Sequence, residues 1–211
     1  MIIRHYPLEL YDFPRLIGKI LDVPDLPFLH ERIKPPDERV SDQDSQAHRQ
    51  FYDAFEEISP EYLEFLREEI APLFSESIYV QRVPTFRVSF PASTAVSRYH
   101  RDSEYNHQRS TVNFWLPLSP AFATNTIWIE SEYDRGDFHP IELHPGQILQ
   151  FDAINLRHGN QSNDTGVTRV SFDFRVVPMS RYQATAKSTV TSKVPLEVGQ
   201  YYMKLTSGHV S

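Results

Sequence analysis

The sequence feature that most constrains the fold is a change in the periodicity of apolar residues near Ser77. Beyond this point apolar and polar residues alternate in short runs rich in β-branched and aromatic side chains, and Pro, Gly, Asn and Asp separate the runs. This spacing is typical of a sandwich or double-sheet jelly roll. The predicted strands lie near 78–90, 96–100, 111–118, 125–130, 139–144, 147–152, 156–161 and 167–177.

The residues before this change are predicted to be helical and rich in loops. Apolar residues recur at helical spacing over 41–58, where Ser41 offers a cap, and a second helix is predicted to begin at Ser59 with Pro60 in its first turn. Because this second helix needs an apolar surface, we expect it to pack on the outside of one sheet. Its apolar stripe consists of Leu63, Leu66, Ile70 and Leu73.

Length and charge narrow the class of protein. A chain of 211 residues can bury one real core, so we expect a single domain made of a helical part (1–77), a jelly-roll core (78–178) and a polar tail (179–211). The net charge of −7 argues against nucleic acid as a partner, because phosphate binding needs clustered Lys and Arg. No run predicts a membrane span or a secretory leader, so we expect a cytoplasmic protein without a membrane partner.

The chain contains no cysteine, which removes disulfides, thiolate metal sites and cysteine nucleophiles. Any metal ligands must therefore be His, Asp or Glu. His100 and Asp102 stand two residues apart at the end of a predicted strand, and side chains at that spacing point to the same face. A His-x-Asp pair alone is a weak signal that is more typical of a solvated loop.

A third ligand is available at His158, which follows the predicted strand 147–152 and precedes Gly159, a residue that permits close backbone approach. Two imidazoles and one carboxylate leave half of an octahedral coordination sphere open, and this arrangement suits iron(II) in oxygenases. We therefore expect His100, Asp102 and His158 to be the metal ligands and the catalytic centre.

The predicted strand at 167–177 alternates strictly between polar and apolar residues. One face carries Arg169, Ser171, Asp173 and Arg175, and the other carries only Val and Phe. An Arg that points into a barrel needs a partner, and a dicarboxylate would bind it through two hydrogen bonds. Arg169 with Ser171 is therefore predicted to hold the distal carboxylate of 2-oxoglutarate. The alternative is an exposed strand face with cross-strand salt bridges.

The order of these motifs resembles one family, the double-stranded β-helix 2-oxoglutarate oxygenases, and within it the streptomycin-biosynthesis type related to the phytanoyl-CoA hydroxylases. The resemblance implies a mainly β protein with flanking helices around a double-stranded β-helix core, which is a jelly roll of cupin-like form. It covers residues 80–178 and is carried by YHRDSEYNH (99–107), VNFWLPLS (112–119), TNTIWIESE (124–132), RHGN (157–160) and NDTGVTRVSFDFRV (163–176).

The resemblance also implies the chemistry. His100, Asp102 and His158 match the iron ligands, and Arg169 with Ser171 matches the cosubstrate anchor, so the expected cofactors are Fe(II), 2-oxoglutarate and O2. The expected enzyme is a dioxygenase that hydroxylates an unactivated carbon with release of succinate and CO2. A small polar metabolite, such as a sugar, aminocyclitol or amino-acid derivative, is the substrate class that the family association suggests.

Residues around the motif are assigned from their positions. Asn113 and Thr126 lie on predicted strands where such enzymes place polar groups against the cosubstrate, and a strand-edge amide is the alternative for Asn113. Arg101, Glu104 and His107 adjoin the metal motif and are predicted to contact the substrate, with a surface position as the alternative for His107.

Two other classes of protein remain open. A redox-inactive, cupin-like metal-dependent isomerase would need no buried Arg, and it usually adds a fourth protein ligand and glycine-rich flanks that cannot be assigned in this sequence. A non-catalytic jelly-roll binding module would make the triad accidental. The primary substrate and the oligomeric state, a homodimer included, are not fixed by the sequence.

Overall fold

The computed structural model describes residues 1–35, 45–93 and 98–206, and the first part of the chain is helical. Short 3-10 turns at Leu26–Phe28 and Ala71–Leu73 connect the longer elements. Within the described ranges, no helix is both long and apolar enough to cross a membrane. The helices are α1 (Phe13–Ile20), α2 (Leu29–Arg32), α3 (Gln46–Asp53) and α4 (Phe55–Phe65), which continues into a π-helical turn at Leu66–Ile70.

Helix α3 is shorter than the helix predicted over 41–58. Ser45 caps it by accepting a hydrogen bond from the backbone amide of His48, and the helix ends at Asp53. The predicted cap at Ser41 lies outside the described residues. The His48 ring in turn contacts the carbonyl oxygen of Phe86 at 3.1 Å, which ties α3 to the sheet.

The predicted helix start at Ser59 is wrong. Helix α4 already begins at Phe55, and the Ser59 hydroxyl donates to the carbonyl of Glu56 instead of capping a new helix. Phe55 and Ile58, which precede Pro60, are buried on the same helix as Tyr62, which follows it. Burial of this continuous face outweighs the local cap and proline signals, as tertiary packing commonly does.

The described residues form two antiparallel sheets, which contain one strand from the start of the chain and nine strands from its second part. The strands are β1 (Ile2–His5), β2 (Ile78–Gln81), β3 (Thr85–Ser89), β4 (Val112–Pro117), β5 (Ile127–Ile129), β6 (His139–Pro140), β7 (Gln147–Phe151), β8 (His158–Asn160), β9 (Arg169–Pro178) and β10 (Tyr202–Leu205). Among the described residues they form a seven-stranded sheet, ordered β1-β7-β4-β9-β2-β10 with β3 also on β9, and a three-stranded sheet, ordered β6-β5-β8. The expected mainly β jelly-roll architecture with flanking helices is confirmed.

Strand β9 divides the interior into an apolar and a polar side. Val170, Phe172, Phe174 and Val176 are buried in a cluster shared with the helices, and the ring of Phe172 lies 5.8 Å from that of Phe13 on α1. The alternate residues face the space between the sheets, where Trp115, Leu149 and Ile129 form a second apolar cluster. The helices therefore cover the outer face of the large sheet, as expected, and leave the space between the sheets for a site.

Two strands in the large sheet were not predicted. Strand β1 pairs with β7 through the register Ile2↔Gln150, and β10 pairs with β2 through Tyr202↔Gln81. The segment after β9 is therefore more than a polar tail, because it returns to the sheet and buries Leu196 and Tyr202.

A glycine in helix α1 lies at a close backbone contact in the helical part. Gly18 lies so close to the following turn that an added Cβ would stand 2.7 Å from the carbonyl oxygen of Val23. We expect Gly18→Ala to destabilise the fold by about 1–3 kcal/mol, because the backbone must shift to relieve the overlap. A lower midpoint in urea unfolding would report this effect.

The matched control is Lys19→Ala, since Lys19 is the exposed neighbour of Gly18 on the same helix. We expect this change to stay within about 0.5 kcal/mol of the parent chain. Equal urea midpoints for the two variants would contradict the close approach between Gly18 and Val23.

Candidate metal centre

Two histidines face each other across neighbouring strand segments. The backbone amide of His100 donates to the carbonyl of His158 at 3.0 Å, and the reciprocal bond is 2.9 Å. Their ring centroids lie 4.5 Å apart. Gly159 makes this approach possible, because a Cβ there would stand 3.1 Å from Cα of Tyr99. The predicted role of Gly159 in close backbone approach therefore agrees with the structure.

Asp102 brings a carboxylate to the same point. Its backbone amide donates to the carbonyl of Ala153 at 2.8 Å, which anchors the short 3-10 turn Asp102–Tyr105 that follows His100. Oδ1 of Asp102 lies 3.7 Å from Nε2 of His100 and 3.6 Å from Nε2 of His158. The three ligand atoms all lie within 4.8 Å of one another, so the structure brings the predicted triad together.

Both imidazoles have a defined orientation. Nδ1 of His100 contacts the carbonyl oxygen of Arg98 at 2.9 Å, and Nδ1 of His158 contacts that of Leu156 at 3.1 Å. A carbonyl oxygen can only accept, so each Nδ1 carries a proton, and Nε2 is the ring nitrogen that each histidine can offer to a metal. Burial, followed by the neighbouring His158 ring, lowers the pKa of His100 below its usual value, which favours the neutral form of its ring.

The residues fit a divalent metal ion of the iron type. With metal–ligand bonds of about 2.1 Å, neighbouring ligand atoms of an octahedral site stand about 3.0 Å apart. The two Oδ1–Nε2 separations of 3.6 and 3.7 Å are somewhat longer, and no pair of ligand atoms is more than 4.8 Å apart, so the three groups would draw together on a bound ion. Two nitrogens and one oxygen on one face are the donor set of non-haem iron(II) sites.

The second carboxylate oxygen of Asp102, Oδ2, is held by hydrogen bonds from two buried side chains. Oδ2 accepts hydrogen bonds from Nε of Arg175 at 2.9 Å and from Nδ2 of Asn113 at 2.8 Å. Burial opposes ionisation of this carboxyl, but attraction to the Arg175 guanidinium and then to His158 outweighs it, so the pKa of Asp102 lies well below its usual range. The ligand is therefore a carboxylate, with Oδ1 directed at the two imidazoles.

Arg169 lies buried on the same inner face of β9. Its Nε donates to the carbonyl of Asn125 at 2.9 Å, Nη1 donates to the Ser171 hydroxyl at 2.9 Å, and Nη2 donates to Oδ1 of Asn160 at 3.2 Å. Asn160 follows His158 by two residues on β8. The guanidinium therefore belongs to the wall that carries the triad, and the alternative of an exposed strand face is wrong.

The structure shows which hydrogen bonds Asn113 and Thr126 make. The amide nitrogen of Asn113 donates to Asp102, while its buried Oδ1 has no hydrogen-bond partner in the part of the chain that is described. The Thr126 hydroxyl donates to the carbonyl of Ile141. Asn113 thus supports the metal ligand, and Thr126 links two segments of the small sheet.

The contacts of Arg101 do not support a role in substrate binding. Its guanidinium is buried and donates to the carbonyl of Asn155 at 2.8 Å, to Asp134 at 3.0 Å and to Glu130 at 3.4 Å. The Glu104 carboxylate accepts from the Arg101 backbone amide at 3.3 Å and is exposed. Arg101 therefore stabilises the segment that carries His100 and Asp102.

His107 is half-buried rather than on the surface. Its ring lies 5.8 Å from that of Tyr201, and its Nδ1 is shielded from solvent without a hydrogen-bond partner among the residues described. Burial, followed by the charge of Arg175, lowers the pKa of His107 to about 3, so the ring is neutral near pH 7. Sequence reasoning left Arg175 without a role and missed Tyr201, although Arg175 stood on the predicted polar face of its strand.

Comparison with known proteins identifies one curated relative. The chain is 38% identical over 164 residues to the streptomycin biosynthesis protein StrG from Streptomyces griseus, and the match covers 78% of each chain. No protein-family model matches the chain. Identity at this level over this share of both chains means common descent and a common fold.

Solved structures agree with the fold. EctD from S. alaskensis with bound Fe superimposes with a TM-score of 0.54 at 14% identity, covering 85% of this chain and 73% of EctD. The non-haem α-ketoglutarate-dependent carbocyclase SnoK from nogalamycin biosynthesis gives a TM-score of 0.52 at 12% identity, covering 97% of this chain and 92% of SnoK. At these identities the likeness concerns the fold alone.

Proposed function

The chain belongs to the same family as the streptomycin biosynthesis protein StrG, and from this premise we propose that it is a non-haem iron(II) dioxygenase that uses 2-oxoglutarate and O2 to hydroxylate a small polar metabolite. The fold is that of iron- and 2-oxoglutarate-dependent oxygenases. The observation that carries the proposal is the preformed triad, in which two Nε2 atoms and one carboxylate oxygen converge.

His100, Asp102 and His158 would hold the metal on one face. Iron(II) bound there would supply the redox chemistry that converts 2-oxoglutarate and O2 to succinate and CO2 as the substrate is hydroxylated. The Nδ1 bonds to backbone carbonyls keep both rings from rotating. Tyr105 packs edge-on against His100, and Phe151 packs edge-on against His158, so apolar rings limit the access of water to both imidazoles.

We assign the cosubstrate to the wall of β9. Arg169 and Ser171 are joined by a hydrogen bond and together offer a cation and a hydroxyl to the distal carboxylate of 2-oxoglutarate. The free acceptor at Oδ1 of Asn113 lies beside Asp102 and is available to a hydrogen-bond donor at the metal centre. A contact from Thr126 would require its hydroxyl to leave Ile141, so Thr126 is the weakest member of this set.

The substrate would enter beside His100. Its side chain is 12% exposed, against 9% for His158 and 2% for Asp102, so the two imidazoles rather than the carboxylate border the opening of the site. Glu104, which is exposed on the turn after His100, and His107, which follows that turn, are the candidates for substrate contact. Because StrG is named for streptomycin biosynthesis, we propose a small polar metabolite of a biosynthetic pathway, acted on in the cytoplasm.

Anaerobic addition of Fe(II) and 2-oxoglutarate to the purified chain is expected to give a weak visible charge-transfer band. The physical reason is that the cosubstrate chelates iron only if the protein leaves adjacent coordination positions open. Exposure of the same sample to O2 should bleach the band and release succinate. Absorbance spectroscopy and succinate quantification measure the two effects.

Succinate in place of 2-oxoglutarate is the control, because it lacks the keto group needed for chelation and should give no band. Metal binding without a band would favour the redox-inactive isomerase. A chain that binds no metal would favour the non-catalytic binding module.

A further inference from the structure

Arg175 contacts Asp102 through Oδ2, the carboxylate oxygen that does not face the two histidines. It is 7% exposed and follows Arg169 by six residues on the same face of β9. The register pairs Arg175 with Asn113 on β4, so both donors to Oδ2 of Asp102 come from one pair of opposed residues. Because both bonds go to Oδ2, only Oδ1 faces the imidazoles.

The Arg175 guanidinium is itself held on several sides. Nη1 donates to Oδ2 of Asp173 at 3.2 Å, to Oε1 of Gln81 at 3.3 Å and to the Tyr201 hydroxyl at 3.3 Å. The Tyr201 hydroxyl also donates to Oε1 of Gln81 at 2.8 Å. Nη1 has two N–H groups, so these acceptors share them, and together with the Nε bond to Asp102 they hold the guanidinium in place in the metal-free fold.

Within the described part of the chain, this network pairs carboxylates with guanidinium groups. Asp173 accepts a hydrogen bond from Nε of Arg87 at 3.1 Å as well as one from Arg175. The guanidinium groups of Arg87 and Arg175 therefore pair with the carboxylates of Asp102 and Asp173. Burial disfavours the charged form of Arg175, but the attraction of Asp102 outweighs it and raises the pKa of Arg175 well above its usual value. Arg175 therefore remains a cation while it contacts the carboxylate.

We propose that Arg175 is a positioning residue of the metal centre. Together with Asn113 it engages Oδ2 of Asp102, so that Oδ1 would be the oxygen that binds the metal, and Tyr201 holds Arg175 in place from the segment that leads into β10. A carboxylate that binds through one oxygen leaves a coordination position free for a chelating cosubstrate. The inference rests on the proposed metal site and makes the C-terminal strand part of it.

Arg175→Lys tests this role at constant charge. Lysine keeps the cation but cannot contact Asp102 and the Gln81–Tyr201 pair through a planar fork. We expect it to bind Mn(II) about 10- to 100-fold more weakly than the parent chain, which is the usual effect of losing a group that orients a metal ligand. Titration with Mn(II) alone, followed by the electron paramagnetic resonance signal of the free ion, measures this without turnover.

Tyr201→Phe removes one hydroxyl from the network, and we expect Mn(II) binding to weaken about fivefold, as for one ordinary hydrogen bond. Tyr79→Phe is the matched control, because the Tyr79 ring packs against Tyr182 and, among the described residues, no hydrogen bond joins its hydroxyl to Arg175. It should bind Mn(II) as the parent chain does. If Arg175→Lys fails to fold by near-ultraviolet circular dichroism, Asn113→Ala removes the other donor to Oδ2 and should show the same loss.

The outcomes separate the two proposals. A parent chain that does not bind Mn(II) would overturn the proposed metal site and this inference with it. A parent chain that binds Mn(II), with Arg175→Lys or Asn113→Ala binding equally well, would overturn the positioning role alone.

Discussion

Asp102→Ala is expected to abolish turnover and, unlike His100→Ala, to lower the stability of the metal-free fold by about 3–5 kcal/mol. Both variants remove one of three metal ligands, so neither should release succinate above background. Only Asp102 is also the partner of a buried guanidinium, with its Oδ2 at 2.9 Å from Nε of Arg175. Asp173 cannot replace it, because Asp173 is shared with Arg87.

Urea unfolding in the presence of a chelator measures the stability difference, and succinate release measures turnover. His100→Ala is the matched control, since its Nε2 makes no bond to the buried arginines and its side chain is partly exposed. Equal unfolding midpoints for the two alanine variants would mean that the bond between Arg175 and Asp102 contributes little. Normal turnover by either variant would remove the triad from the proposed mechanism.

The triad was predictable because local spacing determines most of its geometry. An extended chain puts His100 and Asp102 on one face, and the absence of cysteine leaves few other ligand types. The same rule already argues against Arg101 as a substrate contact, because a residue between two ligands must point the other way. The structure directs Arg101 to Glu130 and Asp134 accordingly.

The residues that hold Asp102 in place were harder to predict, because their positions depend on pairing between segments that are distant in sequence. The polar face of β9 was evident from the sequence, but the partner of Arg175 depends on the register between β4 and β9, which places Asn113 opposite it. Tyr201 gave no signal, since it stands in a polar stretch and is brought into place only when β10 pairs with β2. Strand pairing over such separations leaves no local pattern.

The helical part illustrates the opposite case, in which a local pattern was present and misleading. Ser59 and Pro60 carry a strong signal for a helix start, yet α4 runs through them. The rings of Tyr62 and Phe65 pack edge-on against Phe174 of β9, with centroids 5.9 and 6.3 Å away. The apolar face of the sheet therefore determines the length of the helix.

Arg169→Ala is expected to raise the KM for 2-oxoglutarate by about 30- to 1000-fold, equivalent to about 2–4 kcal/mol, if its guanidinium binds the distal carboxylate. The group is 3% exposed and is oriented by bonds to Asn125, Ser171 and Asn160, so it would meet the cosubstrate in a desolvated setting where a charged hydrogen bond is strong. Metal affinity should change little, because Asp102 is held by Arg175 and Asn113.

Steady-state succinate release over a range of 2-oxoglutarate concentrations gives the KM, and Mn(II) titration gives the metal affinity of the same variant. Arg169→Lys should fall between the parent chain and Arg169→Ala, because the cation is kept and the two-pronged geometry is lost. Arg175→Lys is the reciprocal control: it should weaken Mn(II) binding while changing the KM for 2-oxoglutarate far less than Arg169→Ala does. If Arg169→Ala leaves the KM unchanged, the distal carboxylate binds elsewhere. The proposal that Arg169 binds the cosubstrate while Arg175 positions the metal ligand would then be wrong.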